Sequence, residues 1–129
     1  MATRSIIAEP VAVQSSPKHQ EGQLAAESIT MEGRSGAKYD FQIYQWGTAF
    51  KPLGAVYAVL KRRADGRYDV IYVGQTGDLS ERFDNHHRAA CFTLNGKTHI
   101  GVHLESSEQR RLAIEKDLIA YYGPSCNQT

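Results

Sequence analysis

Residues 55–76 read AVYAVLKRRADGRYDVIYVGQT, and this stretch decides the fold. Two runs that are rich in β-branched and aromatic residues, 55–62 and 68–75, flank the dipeptide Asp65-Gly66. Such runs favour β-strands, and Asp-Gly is typical of the tight turn that joins two antiparallel strands. The sequence therefore predicts a β-hairpin.

The register of this hairpin follows from its turn. With the Asp-Gly dipeptide at the centre, residues that face each other have numbers that sum to 131, so Tyr57 lies opposite Gly74. The missing side chain of Gly74 leaves room for the Tyr57 ring. The register also makes Tyr72 a diagonal neighbour of Tyr57 on the same face. The opposite face is expected to be apolar and to carry Val56, Leu60, Ile71 and Val73.

Downstream of the hairpin the pattern predicts a helix and a third strand. Asp78 is a typical N-cap with Glu81 as its capping-box partner, and Arg82 and His86 lie four residues apart. That spacing places both side chains on one side of the helix. Residues 98–104 then alternate as a strand does, and one of its faces carries Ile100, Val102 and Leu104.

The final helix, which Ser106 is expected to cap, carries an acid among apolar residues. Leu112, Ile119 and Tyr122 recur at helical steps, and Glu115 falls in the middle of this stripe. A buried ionised carboxylate costs several kcal/mol unless a cation, a hydrogen-bond donor or a metal compensates it. The stripe therefore predicts a polar or metal-binding site at Glu115.

The chain upstream of the hairpin divides into two parts. Residues 1–38 show no sustained period beyond a weak helical pattern over 20–29, which predicts a poorly ordered N-terminal segment. From Tyr39 to Tyr44, apolar and polar residues alternate as in a half-covered strand. We therefore expect an accessory strand, and a single folded domain over residues 39–129.

Composition sets modest bounds on function. The 129 residues have a formal charge of +1, which does not by itself indicate a nucleic-acid-binding protein. No apolar run approaches the roughly 18 residues of a membrane span, and no secretory signal is evident, so a cytoplasmic location without membrane contact is expected. The two cysteines are too few for a disulfide framework and are expected to be reduced.

Five fragments in order resemble the motifs of the GIY-YIG nuclease family: AVY, YVG, Arg82 within DLSERFDNH, Glu115 in a late helix, and Asn127 after a Gly-Pro turn. The resemblance covers about residues 54–127, with alanine and valine where the family name has glycine and isoleucine. It implies an α/β (α+β) fold with a small three-stranded antiparallel sheet flanked by helices, here with the accessory N-terminal strand. Homing endonucleases, restriction enzymes and excision-repair incision subunits belong to this family.

The resemblance implies a metal-dependent DNA endonuclease and assigns roles to particular residues. Tyr57 would activate or orient the attacking water, Tyr72 would hold the water network, and Arg82 would contact the scissile phosphate. His86 would support proton transfer or contact the phosphate. Glu115 would bind Mg²⁺ or another divalent cation such as Mn²⁺, which is consistent with the preference of Mg²⁺ for one or two carboxylates plus water.

Further residues are assigned to orientation and to DNA contact. Asn127 would orient the catalytic phenols by hydrogen bonding. Gly74 and Gln75, at the end of the second motif, are expected to contact substrate. A basic group at the hairpin tip could grip the phosphate backbone, although a charged tip is equally typical of a solvated edge: Lys61, Arg62, Arg63 and Arg67.

Two alternatives stay open at this point. Soft ligands for a structural zinc ion are present, but their spacing is not a recognised one: His86, His87, Cys91, His99, His103 and Cys126. The chain could also be a catalytically silent module that keeps the fold and binds nucleic acid or a protein partner. Homodimer formation, the preferred DNA structure and the biological pathway are not specified by the sequence.

Overall fold

A computed structural model of the chain describes residues 7–8, 10–11 and 27–128. The fold is α+β. Five antiparallel strands form the body of one sheet: β3 (Glu27–Glu32), β4 (Lys38–Gln45), β5 (Ala55–Arg62), β6 (Tyr68–Thr76) and β7 (His99–Leu104). The helices are α1 (Leu79–Arg82), α2 (Ala89–Leu94) and α3 (Glu108–Tyr122), and a 3₁₀ turn follows at Ser125–Asn127. No helix in this described part is long and apolar enough to cross a membrane.

The sheet is curled, and two short strands extend its edges. β1 (Ile7–Ala8) pairs with β6, and β2 (Pro10–Val11) pairs with β3, in the spatial order β1-β6-β5-β7-β4-β3-β2. Only one residue separates β1 from β2 in the chain, yet they lie at opposite ends of this order. The two edges of the sheet must therefore approach each other.

Each face of the sheet has its own apolar cluster. One cluster joins strand residues such as Phe41 and Leu60 to Ile114 and Leu118 of α3. The cluster on the other face includes Tyr57, Tyr72 and Val102, with Leu79 of α1 and Phe92 of α2. The two phenols therefore lie between the sheet and the two short helices.

The predicted three-stranded sheet corresponds to β6-β5-β7, but the sheet is larger than predicted. The accessory strand is confirmed as β4, and it lies inside the sheet because it pairs with β7 on one side and β3 on the other. The prediction of poor order over residues 1–38 is wrong for residues 27–38, and so is the helical pattern for 27–29. These residues enter the sheet because Ile29 and Met31 bury their side chains against it. Apart from 7–8 and 10–11, the rest of that segment lies outside the described residues.

The predicted hairpin is confirmed, including the pairs Tyr57–Gly74 and Val59–Tyr72. The placement of Ile71 is wrong. The register shifts between Val59 and Leu60, so Leu60 pairs with Val70 and Ile71 is an extra residue, as in a β-bulge. Ile71 consequently packs in the same cluster as the two phenols rather than on the opposite face.

The first predicted helix begins as expected but is shorter. The Asp78 side chain accepts a hydrogen bond from the Ser80 backbone N–H (2.9 Å), and the helix ends at Arg82. Arg82 and His86 therefore do not share a helix. Asp84 and Asn85 follow, and residues of these types favour turns over helix interiors.

The last helix presents a different stripe from the predicted one. Its N-cap is Ser107, not Ser106, and its buried residues are Arg111, Ile114, Leu118 and Tyr122. Leu112, which was expected to be buried, is 46% exposed. Glu115 consequently lies beside the apolar stripe, half-buried, rather than in its middle.

The two cysteines are not reduced: Cys91 of α2 and Cys126 of the 3₁₀ turn form a disulfide. The fold brings their Cα atoms to 5.9 Å, within the range that a disulfide spans. Sequence spacing could not reveal this pair, because the two cysteines are 35 positions apart in the chain. The bond ties α2 to the turn that carries Asn127.

Candidate active site

The hydroxyl oxygen of Tyr57 is the centre of the candidate site. Tyr57 is fully buried in the middle of β5, and two groups from the segment after β6 reach its oxygen. Arg82 donates a hydrogen bond from Nε at 2.8 Å, and His86 Nε2 lies at 2.7 Å. The structure thus brings together three of the residues that the sequence singled out.

The proton arrangement on His86 follows from its other nitrogen. The Arg88 backbone N–H donates to His86 Nδ1 (3.0 Å), so Nδ1 must carry a lone pair. A neutral imidazole then has its proton on Nε2 and donates it to Tyr57. Burial, together with the nearby charges of Arg82, His87 and Arg88, lowers the pKa of His86 to about 4, which keeps the ring neutral at pH 7.

Tyr57 therefore receives two N–H donors on its oxygen. Burial nevertheless raises the pKa of Tyr57 well above its ordinary value of 10, because desolvation outweighs the opposing effect of Arg82. Two donors stabilise a phenolate relative to a phenol, but they do not overcome the loss of hydration here. In the protein alone, Tyr57 is a neutral phenol at pH 7.

Tyr72 lies beside Tyr57, as predicted, and its ring centroid is 6.1 Å away. Burial raises the pKa of Tyr72, and Arg82 opposes this rise. The argument for Gly74 is confirmed: a Cβ at this position would lie 2.5 Å from the Tyr57 Oη and 2.8 Å from Tyr72 Cε2. Only glycine lets β6 pass this close to both rings.

Glu115 belongs to the electrostatic environment of the two phenols. Its negative charge raises the pKa of Tyr57 and of Tyr72. Burial raises the pKa of Glu115 itself, and the Arg82 guanidinium opposes that rise. The carboxylate is therefore held where desolvation disfavours its charge, a situation that a bound cation would relieve.

Arg82 has donors to spare. Its Nε is used by Tyr57, whereas its two Nη groups have no hydrogen-bond acceptor within residues 27–128. The side chain is partly exposed and borders a polar cleft of about 550 Å³. Three acids share the lining of this cleft: Asp78, Glu81 and Asp84. The guanidinium can bind an anion by donating two parallel N–H groups to it, a geometry that suits phosphate.

Asn127 has a different contact from the predicted one. Its side chain does not hydrogen-bond a phenol; its Oδ1 accepts from the Val73 N–H (2.9 Å) and its Nδ2 donates to the Val73 carbonyl (3.0 Å). An amide matches both groups of one peptide-bonded residue, so Asn127 pairs with the backbone of β6 between Tyr72 and Gly74. It can orient the phenol of Tyr72 only through the strand.

Gln75 contacts a residue that sequence reasoning missed. Its Oε1 accepts a hydrogen bond from Arg111 Nε (2.9 Å), and Arg111 is buried on the inner side of α3. A search for an apolar stripe does not find Arg111, because arginine is not an apolar residue. The signal that could have found it is its spacing: Arg111, Ile114, Leu118 and Tyr122 are separated by three and four residues.

The basic hairpin tip lies apart from the phenols. Arg63, the residue after β5, is six positions beyond Tyr57, a span of roughly 20 Å at the rise of a strand. Arg62 pairs with Glu27 (3.2 Å), and Arg63 pairs with Asp69 (3.5 Å). All four predicted contact residues of the tip are exposed: Lys61, Arg62, Arg63 and Arg67. Their contact with DNA stays a prediction.

Among the described residues, Glu115 is the carboxylate that could bind a metal beside Tyr57 and Tyr72. Within the described residues, no group of three or more His, Cys, Asp and Glu side chains converges as a ready-made metal site. This argues against structural zinc, for which Cys91 and Cys126 are also consumed by their disulfide. Mg²⁺ has other requirements, because one carboxylate plus water and phosphate oxygens suffices. Glu115, disfavoured as a bare anion by burial, fits that donor set.

Comparisons of the chain with protein-family models, with curated proteins and with solved structures give no match.

Proposed function

We propose that this chain is a metal-dependent DNA endonuclease of the GIY-YIG type that hydrolyses phosphodiester bonds. The observation that supports this most is the position of Arg82, which holds the Tyr57 hydroxyl through Nε while its Nη groups remain available to an anion. One guanidinium thereby joins a candidate proton carrier to a candidate phosphate site. A planar and permanently charged group suits the charge that builds on phosphate oxygens during displacement.

Each residue has a part in this reaction. Arg82 binds the phosphate and fixes the Tyr57 oxygen at 2.8 Å. His86, a neutral N–H donor, supports the same oxygen from the other side and leaves the hydroxyl proton to a third acceptor. In the protein alone Tyr72 is that acceptor, because a hydrogen bond from Tyr57 lowers the pKa of Tyr72; in the reaction a water or a phosphate oxygen would take its place. When that proton leaves, two donors already face the oxyanion, which needs no rearrangement. Tyr72 limits the space beside it.

Glu115 would hold Mg²⁺ or Mn²⁺ in this proposal. A divalent cation, when bound, supplies positive charge that stabilises the phosphate oxygens and lowers the pKa of nearby acids. The Tyr57 phenol needs such a charge, because its pKa in the protein alone lies far above neutral pH. The carboxylate lies within electrostatic range of Tyr57, Tyr72 and Arg82.

Nicking of supercoiled plasmid DNA tests the proposal. With Mg²⁺ or Mn²⁺ the wild type is expected to nick, and Tyr57→Phe, Arg82→Ala and Glu115→Gln are expected to lose about 100-fold or more in rate. Arg110→Ala and Glu108→Gln change the same charges at exposed positions of α3 and should nick like the wild type. Equal rates in all variants would identify a contaminating nuclease and overturn the proposal.

A second candidate is a catalytically silent module that binds nucleic acid or a protein. The neutral state of Tyr57 and the lack of a converging metal cluster among the described residues favour it. This candidate predicts that the wild type binds DNA yet leaves duplex, branched and single-stranded DNA uncut with several divalent cations. Loss of binding in Arg82→Ala would then place the interface at Arg82.

A further inference from the structure

Arg111 carries a buried positive charge that no carboxylate among the described residues balances. The residue is only 6% exposed, and its hydrogen bonds go to three neutral acceptors: the Gln75 Oε1 (2.9 Å), the Glu105 carbonyl (3.1 Å) and the Ser106 carbonyl (3.0 Å). The Glu105 carboxylate pairs with Arg110 and the Ser107 N–H instead. Within residues 27–128, Arg111 has no ion pair. The three acceptors are neutral, so they leave the charge of the guanidinium uncompensated, and a buried unpaired charge costs free energy that a bound anion would relieve.

One side of this guanidinium is open. Nε and Nη1 make all three hydrogen bonds, and Nη2 has no acceptor among the described residues. Nη2 faces Gly77, where a Cβ would lie 3.5 Å away, and Gly77 is exposed. On the other side, a Cβ at Gly54 would lie 2.6 Å from Nη1. Two glycines thus flank a fixed guanidinium, and the one beside Nη2 lies at the surface.

The position of Arg111 links it to the candidate active site. Gln75, which holds Nε, follows Gly74 on β6, and Glu115 lies one helical turn further along α3, about 6 Å along the axis. Gly77 leads directly into the N-cap of α1, the helix that ends in Arg82. The open Nη2 therefore borders the loop that follows β6 at Gly77 and leads through α1 to Arg82.

We propose that Arg111 and Gly77 form an anion subsite on the DNA path. This subsite would bind the phosphate group next to the phosphate at Arg82. The proposal rests on the proposed function for the identity of the strand, but it needs no cleavage. A guanidinium that neutral acceptors hold in one orientation keeps its full charge for an anion. Gly77 leaves space for a phosphate oxygen beside Nη2.

Binding of a short fluorescein-labelled DNA duplex, followed by fluorescence anisotropy in EDTA, tests this subsite without cleavage. Arg111→Gln is expected to bind about tenfold more weakly and to reduce the slope of log affinity against log salt by about one. Arg110→Gln, the neighbouring exposed arginine, is the matched control for lost charge. Equal affinities and slopes for the two variants would overturn the subsite.

Gly77→Ala keeps the test decisive if Arg111→Gln fails to fold. Its Cβ would meet Nη2 at an ordinary van der Waals distance, so the melting temperature should stay near that of the wild type. The methyl group fills the space assigned to the phosphate oxygen, and DNA affinity should fall several-fold. Unchanged affinity in Gly77→Ala would show that Arg111 only braces the fold.

Inorganic phosphate at millimolar concentration separates a free anion from a strand. One outcome would overturn the proposal. Phosphate would raise the melting temperature of the wild type but not of Arg111→Gln, while the wild type and Arg111→Gln bind DNA equally well; the DNA strand would then be the wrong ligand. A wild type that binds DNA through Arg111 but never cuts it would overturn the proposed endonuclease and leave this subsite standing.

Discussion

The Nε of Arg82 donates a hydrogen bond to the hydroxyl oxygen of Tyr57 at 2.8 Å, although the two residues are 25 positions apart in the chain. The contact makes Arg82 serve two groups at once, because its Nη atoms stay available. A lysine has a single ammonium group and cannot span a phenol and a phosphate in the same way.

We therefore expect Arg82→Lys to be nearly as inactive as Arg82→Ala, about 100-fold below the wild type in nicking rate. DNA binding should be largely retained in Arg82→Lys, since its charge is unchanged. Measured single-turnover rates and anisotropy separate the two effects. A lysine variant with full activity would show that charge alone, without the Tyr57 contact, is sufficient.

Glu115→Gln should stabilise the metal-free protein at pH 7. Burial raises the Glu115 pKa above its ordinary value of 4.5, so the folded chain holds this proton more tightly than the unfolded chain, and stability falls as pH rises past 4.5. Removing the charge should therefore raise the melting temperature. Added Mg²⁺ should stabilise the wild type and not the variant. Glu108→Gln on the same helix is the control, and an equal response in both would contradict a metal at Glu115.

His86 should make the protein sensitive to acid. Its pKa is about 4 in the folded chain against an ordinary 6.5, so the unfolded chain binds the proton first, and stability is lost as pH falls from 6.5 to about 4. His86→Gln keeps an N–H donor for Tyr57 but cannot titrate. Denaturation curves across this range should show a smaller loss of stability in the variant, and parallel losses would refute the effect.

Gly74→Ala should destabilise the fold strongly. Its Cβ would lie 2.5 Å from the Tyr57 Oη and 2.6 Å from Cζ, and a buried ring cannot move aside easily, so a loss of about 1–3 kcal/mol in the free energy of unfolding is expected. Gly101→Ala in β7 of the same sheet is the control, because its nearest neighbours would lie at 3.4 Å. Urea denaturation measures both. Similar stabilities for the two variants would contradict the close approach at Gly74.

Loss of the Cys91–Cys126 bond should destabilise the protein by about 3–4 kcal/mol, the loop-closure estimate for a separation of 35 residues. Cys91→Ser and the reduced wild type should then unfold at similar, lower denaturant concentrations than the oxidised wild type. Thiol titration under denaturing conditions gives the number of free thiols directly. Two free thiols in protein purified without reductant would contradict the bond.

Local signals were sufficient for the hairpin and for the β4 strand. An Asp-Gly turn and period-two patterns act within a few residues, so the pairing of Tyr57 with Gly74 follows from the sequence. The bulge does not, because it depends on how β6 packs against both faces. β3 was missed for a related reason: Ile29 and Met31 give a clear strand only once β4 lies beside them.

The sequence predicted which residues belong to the candidate site better than it predicted how their side chains contact one another. Tyr57, Arg82 and His86 do meet, but through a loop and not along one helix face, since α1 ends after four residues. The partner of Asn127 is a backbone group, which no side-chain pattern reveals. Arg111 was overlooked because burial of a charged side chain depends on its three distant acceptors.

Because Ile71 is an extra residue, the number of residues between Tyr57 and Tyr72 does not by itself decide whether the two phenols lie on one face. A shortened hairpin that lacks this residue would pair Val59 with the same tyrosine in unbroken register. Homologous chains could thus gain or lose one position between their two tyrosines and still present both rings on one surface, so counting intervening residues is a poor guide to whether this pair of rings is preserved.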